Sequence, residues 1–355
     1  MLLAARELGL GGSERQLAET ALALDRTYFR PHVACFVEGG FRARELADAG
    51  VPLLNLGVSS LLSPSVVRGA ARLGRYVAAH GIQLVHAFDV PADVFVAPAA
   101  RMFRVPVVLS SQRAHRDLVG GQRHVLRLTD RIVDGIVVNS QAIARQLEEE
   151  DGVPASMIRL AYNGLDTAIF RREGPRAAVA AGPVIGVICA LRPEKGLHLL
   201  IEAFAQVRRG KLLIVGSGPA LGELQERARS LGVAGECHFE PAVANVADWL
   251  RAMDVFVLPS LSEALSNSLL EAMGCGCCPI ASDTGGNPEL VRNGETGLLF
   301  RSGDAGALAE RLRAVLDDAE LRKALAAAAE ERAHREFARA VAARRVGEIY
   351  REFLG

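Results

Sequence analysis

Residues 184–219 read VIGVICALRPEKGLHLLIEAFAQVRRGKLLIVGSGP. An apolar run (184–190) ends in a polar turn, an amphipathic stretch follows (HLLIEAFAQVR), and a second apolar run, KLLIVG (211–216), closes on glycines. Strand, helix and strand at this spacing make a βαβ unit, whose strands must be parallel because the helix carries the chain back across the sheet. The alternation continues on both sides. LLAA (2–5), HVACFV (32–37), QLVHAF (83–88), PVVLS (106–110) and GIVVNS (135–140) precede it, and CHFE (237–240), DVFVLPS (254–260) and CPIAS (278–282) follow. The class is therefore α/β, with doubly wound parallel sheets that bind ligands beyond the carboxyl ends of their strands.

At 355 residues the chain suits two cores better than one. The alternation breaks once, at REGPRAAVAAGP (172–183), where no hydrophobic period is present. The expected plan is an N-terminal domain over 1–172, a linker over 173–183, a C-terminal domain over 184–337 and a helix over 338–355 packing back on the first domain. From about residue 304 to the end, the Ala, Arg, Glu and Leu content predicts continuous helix.

Basic and acidic residues number 41 each, which removes any global charge argument for nucleic acid. No apolar stretch approaches the roughly 18 residues of a membrane span. The opening residues turn polar too early for a signal peptide. Six cysteines in largely strand-like segments predict reduced thiols and a cytoplasmic protein. CGCC (275–278) has no matching ligand pair at useful spacing, so buried small side chains rather than zinc are expected there.

The most informative chemistry lies in SEALSNSLLEAMGCGCCPIASDTGGNPELVRNGETGLLF (262–300). Glu263 and Glu271 stand eight positions apart, with Ser266, Asn267 and Ser268 between them able to cap a helix start. A helix starting there presents backbone N–H groups to an anion. Carboxylates on either side suit sugar hydroxyls. Arg192 and Lys195, in ALRPEKG, sit at a strand-to-helix turn where two cations can neutralise a diphosphate. Gly216, in GSGP, and Gly11 and Gly12, in LGLGGSER (8–15), permit close backbone approach. Each feature alone is also compatible with an ordinary turn, cap or solvated charge.

As a set, GGSE, NGLD (163–166), LRPEKG, VGSGP and the Glu-x7-Glu segment with GG-x-PE and NGETGLL behind it resemble glycosyltransferase family 4 over nearly the whole chain. That resemblance implies a GT-B architecture, two Rossmann-like domains facing across a cleft. It implies a retaining, metal-independent transferase with a nucleotide-sugar donor, UDP-sugar before GDP-sugar, and no cofactor. In it Glu271 holds the ribose hydroxyls, Glu263 contacts the donor sugar, and Arg192 and Lys195 hold the pyrophosphate. Gly12 approaches the phosphates, Gly216 borders the donor, and backbone N–H groups from Ser266 and Asn267 through Ser268 and Leu269 hold sugar and phosphate. His115, in SSQRAHRD (110–117), resembles the family's active-site histidine in position. His86 reads as a satisfied core residue.

The acceptor side is expected on the N-terminal domain, with a glycan, lipid-linked or small-molecule acceptor. Between 101 and 131 seven arginines (101, 104, 113, 116, 123, 127, 131) face two aspartates. Arg123, Arg127 and Arg131 would share a helical face that is either solvated or a peripheral contact with the inner membrane surface. A sugar-nucleotide epimerase and a non-catalytic nucleotide-sugar-binding partner remain alternatives.

Overall fold

The computed structural model describes residues 1–9, 11–115, 122–179 and 182–355, with only the backbone described at 122 and 123. It contains two fully parallel sheets. The first comprises β1 (Leu2–Ala5), β2 (His32–Cys35), β3 (Leu53–Asn55), β4 (Leu84–Ala87), β5 (Val107–Gln112), β6 (Gly135–Val138) and β7 (Ile158–Leu160), in the order β3-β2-β1-β4-β5-β6-β7. The second comprises β8 (Val184–Ile188), β9 (Lys211–Val215), β10 (Cys237–Glu240), β11 (Val255–Leu258), β12 (Cys278–Ser282) and β13 (Leu298–Phe300), in the order β10-β9-β8-β11-β12-β13. Both sheets grow outward from their first strand and then reverse, which is the doubly wound plan. Three strands lay outside the sequence expectation: β3, β7 and β13. Each has three residues, too few for a hydrophobic run to stand out.

The chain divides into two compact units, Met1–Gly164 with Arg339–Gly355, and Leu165–Ala338. The division thus falls at Gly164/Leu165, ahead of the stretch expected to be the linker. Arg251 ties the segment after that boundary to the second unit: its buried guanidinium donates to the carbonyls of Ile169 (2.6 Å), Arg171 (2.8 Å) and Pro175 (3.2 Å) and pairs with Asp248 (2.9 Å). Polar bonds from one side chain fix a segment that has no apolar period to read.

The C-terminal tail is not one helix. It forms Ala305–Asp317, Ala319–Glu336 and Arg339–Leu354. Asp318 leaves the helical region at φ −114° and caps the second helix, accepting the Leu321 N–H at 2.9 Å. Leu165 N–H donates to Phe337 O at 2.7 Å and ends that helix. A composition of helix formers does not show where a single aspartate will cap. The last helix sends Val346, Ile349 and Tyr350 into the core of the first unit beside Leu3, Leu17 and Leu84.

His86 on β4 is fully buried and satisfied on both nitrogens, by Tyr350 Oη (2.7 Å) and Ser111 Oγ (2.8 Å). All six cysteines are free thiols. Burial pushes Cys275 and Cys278 up to about 12, and Cys277 Sγ lies 3.1 Å from the Leu250 carbonyl. These are packed side chains. Among the described residues no cluster of His, Cys, Asp or Glu could hold a metal, and no helix is long and apolar enough to cross a membrane.

Candidate functional site

In the second unit the strand order reverses between β8 and β11. The loops leaving these two strands therefore diverge and open a crevice at the carboxyl edge of the sheet. The β8 loop makes one turn of 3-10 helix over Pro193–Lys195 and carries Arg192 and Lys195. The β11 loop carries Ser260 and Glu263 and leads into the helix Asn267–Gly274. The two loops are joined by Leu261 N–H donating to Glu194 O at 2.8 Å.

Across this crevice Lys195 Nζ donates to Glu263 Oε2 at 2.6 Å, and Ser260 Oγ donates to the same oxygen at 3.2 Å. The Lys195 and Glu263 side chains are only 21% and 11% exposed. An ammonium held this way has little rotameric freedom left to lose when an anion arrives. Arg192 is more open, 63% exposed, with Nη1 3.9 Å from Glu194. Cys189, just before this loop, is pushed up to about 12 by burial, so it is a thiol and no nucleophile.

The helix at Asn267 begins as its sequence predicts. Ser266 is the N-cap, its Oγ accepting the Leu269 N–H at 3.2 Å and lying 3.2 Å from Ser268 Oγ. The cap oxygen thus occupies the Leu269 N–H, one of the four groups expected to face a ligand. Glu271 lies about one turn in and is buried. A buried carboxylate one turn inside a helix start, eight positions after a loop carboxylate paired to lysine, supplies acceptors and donors of the kind a polyhydroxylated anion would use.

The supporting layer was not foreseen in its roles. Ser282 Oγ donates to Ser260 O at 2.6 Å, and Asn287 Nδ2 donates to Ser282 O at 3.1 Å. Gly285, at φ +54°, packs its bare Cα against the Glu263 carbonyl, where any Cβ would collide with backbone. The motif GG-x-PE is therefore the floor under the Glu263 loop. Gly216, directly after β9, has φ +150° and abuts the Cys189 carbonyl in the same manner, with its N–H donating to Glu240 O at 2.8 Å. It supports the β8 loop.

The first unit has its own reversal, between β1 and β4. Here Arg6 N–H donates to Asp89 Oδ2 at 2.7 Å, and Asp89 Oδ1 caps the helix Val90–Met102. Burial raises the Asp89 carboxyl above its ordinary range. Gly12 opens the helix Gly12–Ala23, and the Glu14 carboxylate folds back over Gly11. His115 follows β5 and has Nδ1 3.1 Å from Gln146 Oε1. Next to it Arg113, passed over in the sequence except as one of seven arginines, turns inward. It donates to Asn163 Oδ1 at 2.9 Å and stacks on Phe88 at 5.1 Å.

Of the basic face expected over 123–131, the described residues show only part. The helix ends at Asp130, before Arg131. Arg127 donates to Glu150 O at 2.9 Å and lies 3.6 Å from Asp151, while Arg101 pairs with Asp134 at 2.7 Å. These guanidiniums tie loops together. Arg116 and the Arg123 side chain lie outside the described residues.

Similarity to known proteins follows the same division. The family model Glycosyltransferase Family 4 matches residues 10–169, and Glycosyl transferases group 1 matches residues 176–332. A GDP-mannose-dependent alpha-(1-6)-phosphatidylinositol monomannoside mannosyltransferase of Mycobacterium tuberculosis is 30% identical over 73% of this chain and 73% of its own length. The sulfoquinovosyl transferase of Arabidopsis thaliana is 28% identical over 77% of this chain, and the match spans about half of that relative, 56%. Anabaena HepE, solved in complex with UDP, superposes with a TM-score of 0.85 over 99% of both chains at 23% identity, a likeness of fold. With two Rossmann-like parallel sheets on the GT-B plan and both halves matched in order, the chain belongs to glycosyltransferase family 4.

Proposed function

We propose that this chain is a retaining, metal-independent glycosyltransferase that moves a sugar from a nucleotide-diphosphate sugar, UDP-sugar before GDP-sugar, to a glycan, lipid-linked or small-molecule acceptor. The observation that carries the reading is the Lys195–Glu263 pair spanning the β8/β11 reversal beside the buried Glu271. Lys195 and Arg192 neutralise the diphosphate, Glu271 takes the ribose hydroxyls and Glu263 the donor sugar. Gly12 and His115 serve from the first unit. The relatives support a nucleoside-diphosphate donor, since one is named as GDP-mannose-dependent and a fold neighbour was solved with UDP.

Retention follows from attack on the face that the leaving group departs. The anomeric carbon–oxygen bond to the diphosphate breaks, the acceptor oxygen bonds to the same face, and its proton passes to the departing diphosphate oxygen. No enzymic nucleophile is required, and rate comes from charge stabilisation in a fixed geometry. Lys195 and Arg192 provide the positive charge that a metal provides elsewhere.

The test is thermal unfolding with UDP, GDP, ADP and dTDP and their sugars. One nucleotide class at about 100 times its dissociation constant should stabilise the protein by about 2.7 kcal/mol. Lys195→Ala and Glu271→Ala should abolish that shift, and transfer should fall by roughly 10²–10³. Near-normal turnover in both variants would remove the site assignment, and silence toward every nucleotide would remove the transferase.

A further inference from the structure

The second unit gathers charge at both edges of its sheet. Lys195 and Glu263 mark the carboxyl edge, in the crevice described above. At the amino edge a separate cavity of about 440 Å³ opens beside Val184, the first residue of β8. Asp254, which precedes β11, and Cys275 and Gly276, which lead toward β12, lie along the same edge. At a rise of about 3.3 Å per residue, the five residues of β8 hold the two edges about 15 Å apart.

Five cations and a single carboxylate, Asp254, line this cavity. The cations come from three parts of the chain. Arg172 and Arg176 lie on the segment after the unit boundary, Arg251 ends the helix Val246–Arg251, and Arg322 and Lys323 lie on the helix Ala319–Glu336. Some of this charge is already used. Arg251 holds the bonds given above, and Arg172 pairs with Glu330 at 2.8 Å. Lys323 meets Glu320 at 2.9 Å, an exposed pair that solvent screens. Two guanidiniums have no acid partner among the described residues. Arg322 donates only to the Val315 carbonyl, at 2.7 Å, and Arg176 makes no hydrogen bond or ion pair. Asp254 offers little to offset them, since its Oδ2 accepts the Val184 N–H at 2.9 Å.

This cavity gives the run CGCC (275–278) a place in the fold. Gly276, at φ +77°, lies directly under the Arg172 guanidinium, where a Cβ would stand 2.8 Å from Nε. Burial is the largest influence on the three thiols and raises them all. Each also feels one guanidinium in the opposite sense, Arg251 at Cys275, Arg172 at Cys277 and Arg322 at Cys278. The small residues form a floor over which positive charge converges. Guanidinium forks match phosphate oxygens, and cations without acids around a concavity are completed by an anion. Nucleic acid or a bilayer calls for cations spread along an open face, whereas these surround a space of small-molecule size.

We propose that this cavity is a second anion site, taking a small molecule that carries two or more phosphate groups. Arg176, Arg322 and Lys323 supply the free charge, and Arg172 completes the ring. The site is distinct from the donor crevice and does not rest on the transferase reading.

The experiment is thermal unfolding and titration calorimetry of the full chain with tripolyphosphate, with citrate as an anion of similar charge but no phosphate. Both are run on Lys195→Ala, which removes the ammonium of the donor crevice. Tripolyphosphate should still raise the unfolding midpoint of Lys195→Ala, citrate should do so far less, and added salt should weaken the effect. Adding Arg176→Glu to that background should weaken tripolyphosphate binding at least about tenfold, as expected for a lost charge-assisted contact. Arg176→Glu breaks no bond of the fold, so its midpoint without anion should stay at the parent value. Arg176→Glu with Lys195 intact should keep the wild-type nucleotide response. No shift with tripolyphosphate in Lys195→Ala, an equal shift with citrate, or binding unchanged by Arg176→Glu would each overturn the site. Loss of the nucleotide response in Arg176→Glu would overturn its separation from the donor crevice. Failure of every nucleotide to bind would strike the transferase reading and leave the tripolyphosphate result standing.

Discussion

The two units build the same reversal from different materials. In the second unit the loops leaving β8 and β11 meet through side chains, the Lys195 ammonium on the Glu263 carboxylate at 2.6 Å. In the first, the loops leaving β1 and β4 meet through one backbone group and one side chain, the Arg6 N–H on the Asp89 carboxylate at 2.7 Å, and the adjoining turn is glycine. Charged side chains at fixed spacing can be read from a sequence. A backbone N–H is supplied by nearly every residue type, so its use leaves no signature. This is why the reversal of the second unit is the more legible of the two in the sequence.

The largest effect expected from this contrast lies under the Glu263 loop. Gly285→Ala adds a methyl group that would collide with the Glu263 carbonyl, at a backbone φ of +54° that an L side chain rarely adopts. The loop must move, and Glu263 with it. Transfer should fall by at least about 10², as for a misplaced catalytic contact, while the fluorescence of Trp249, the chain's one tryptophan, still reports a folded second unit. Wild-type turnover in Gly285→Ala would mean that the position of Glu263 is unimportant and that the crevice has been misread.

The particular residues show where reading a sequence stops. Glu263, Lys195, Glu271 and the Ser266 cap stand out in the sequence because charged and capping residues recur at short spacing in two loops and one helix start. Most strand runs of four or more residues stand out because burial on both faces makes them continuously apolar, the half-exposed edge strand β10 being the exception. β3, β7 and β13 were not, because three residues carry no period. The breaks in the tail at Asp318 and Phe337 depend on one cap and one cross-chain bond, and the Arg251 clamp on 169–175 depends on partners remote in sequence. Arg113 reads like its six neighbouring arginines, and only the fold turns it inward onto Asn163 and Phe88.

A second effect, intermediate in size, belongs to the first unit alone. Burial, and then the charge of Arg113, hold His86 well below the ordinary histidine range, so it is neutral when folded. The unfolded chain takes up the proton near pH 6.5 and the folded one does not. The stability His86 contributes is therefore present above about pH 6.5 and is lost as pH falls toward its folded value. Circular dichroism, which reports both units, should show acid destabilisation that Trp249 fluorescence does not share. His86→Ala leaves Tyr350 Oη and Ser111 Oγ without their partner and should cost the first unit about 2–4 kcal/mol. It should also flatten the acid slope, with a residue left by His32, which burial lowers as well. An unchanged slope would place the titrating group elsewhere.

The smallest effect sharpens the comparison most. Gly11 has φ −65° and ψ 164°, a conformation open to any residue, and a Cβ there would meet only the Glu14 carboxylate, the free end of a flexible side chain. Gly11→Ala should therefore cost about 0.5 kcal/mol, since alanine caps a helix somewhat less well than glycine, and lower the unfolding midpoint by a degree or two. Gly285→Ala and Gly11→Ala make the same chemical change at the two reversals, one against a carbonyl fixed in the backbone and one against a side chain that can swing away. If Gly11→Ala keeps the fold and yet loses the nucleotide response, the glycine turn of the first unit brings its backbone against the ligand. The two reversals would then both be binding edges, one made of charges and the other of peptide N–H groups.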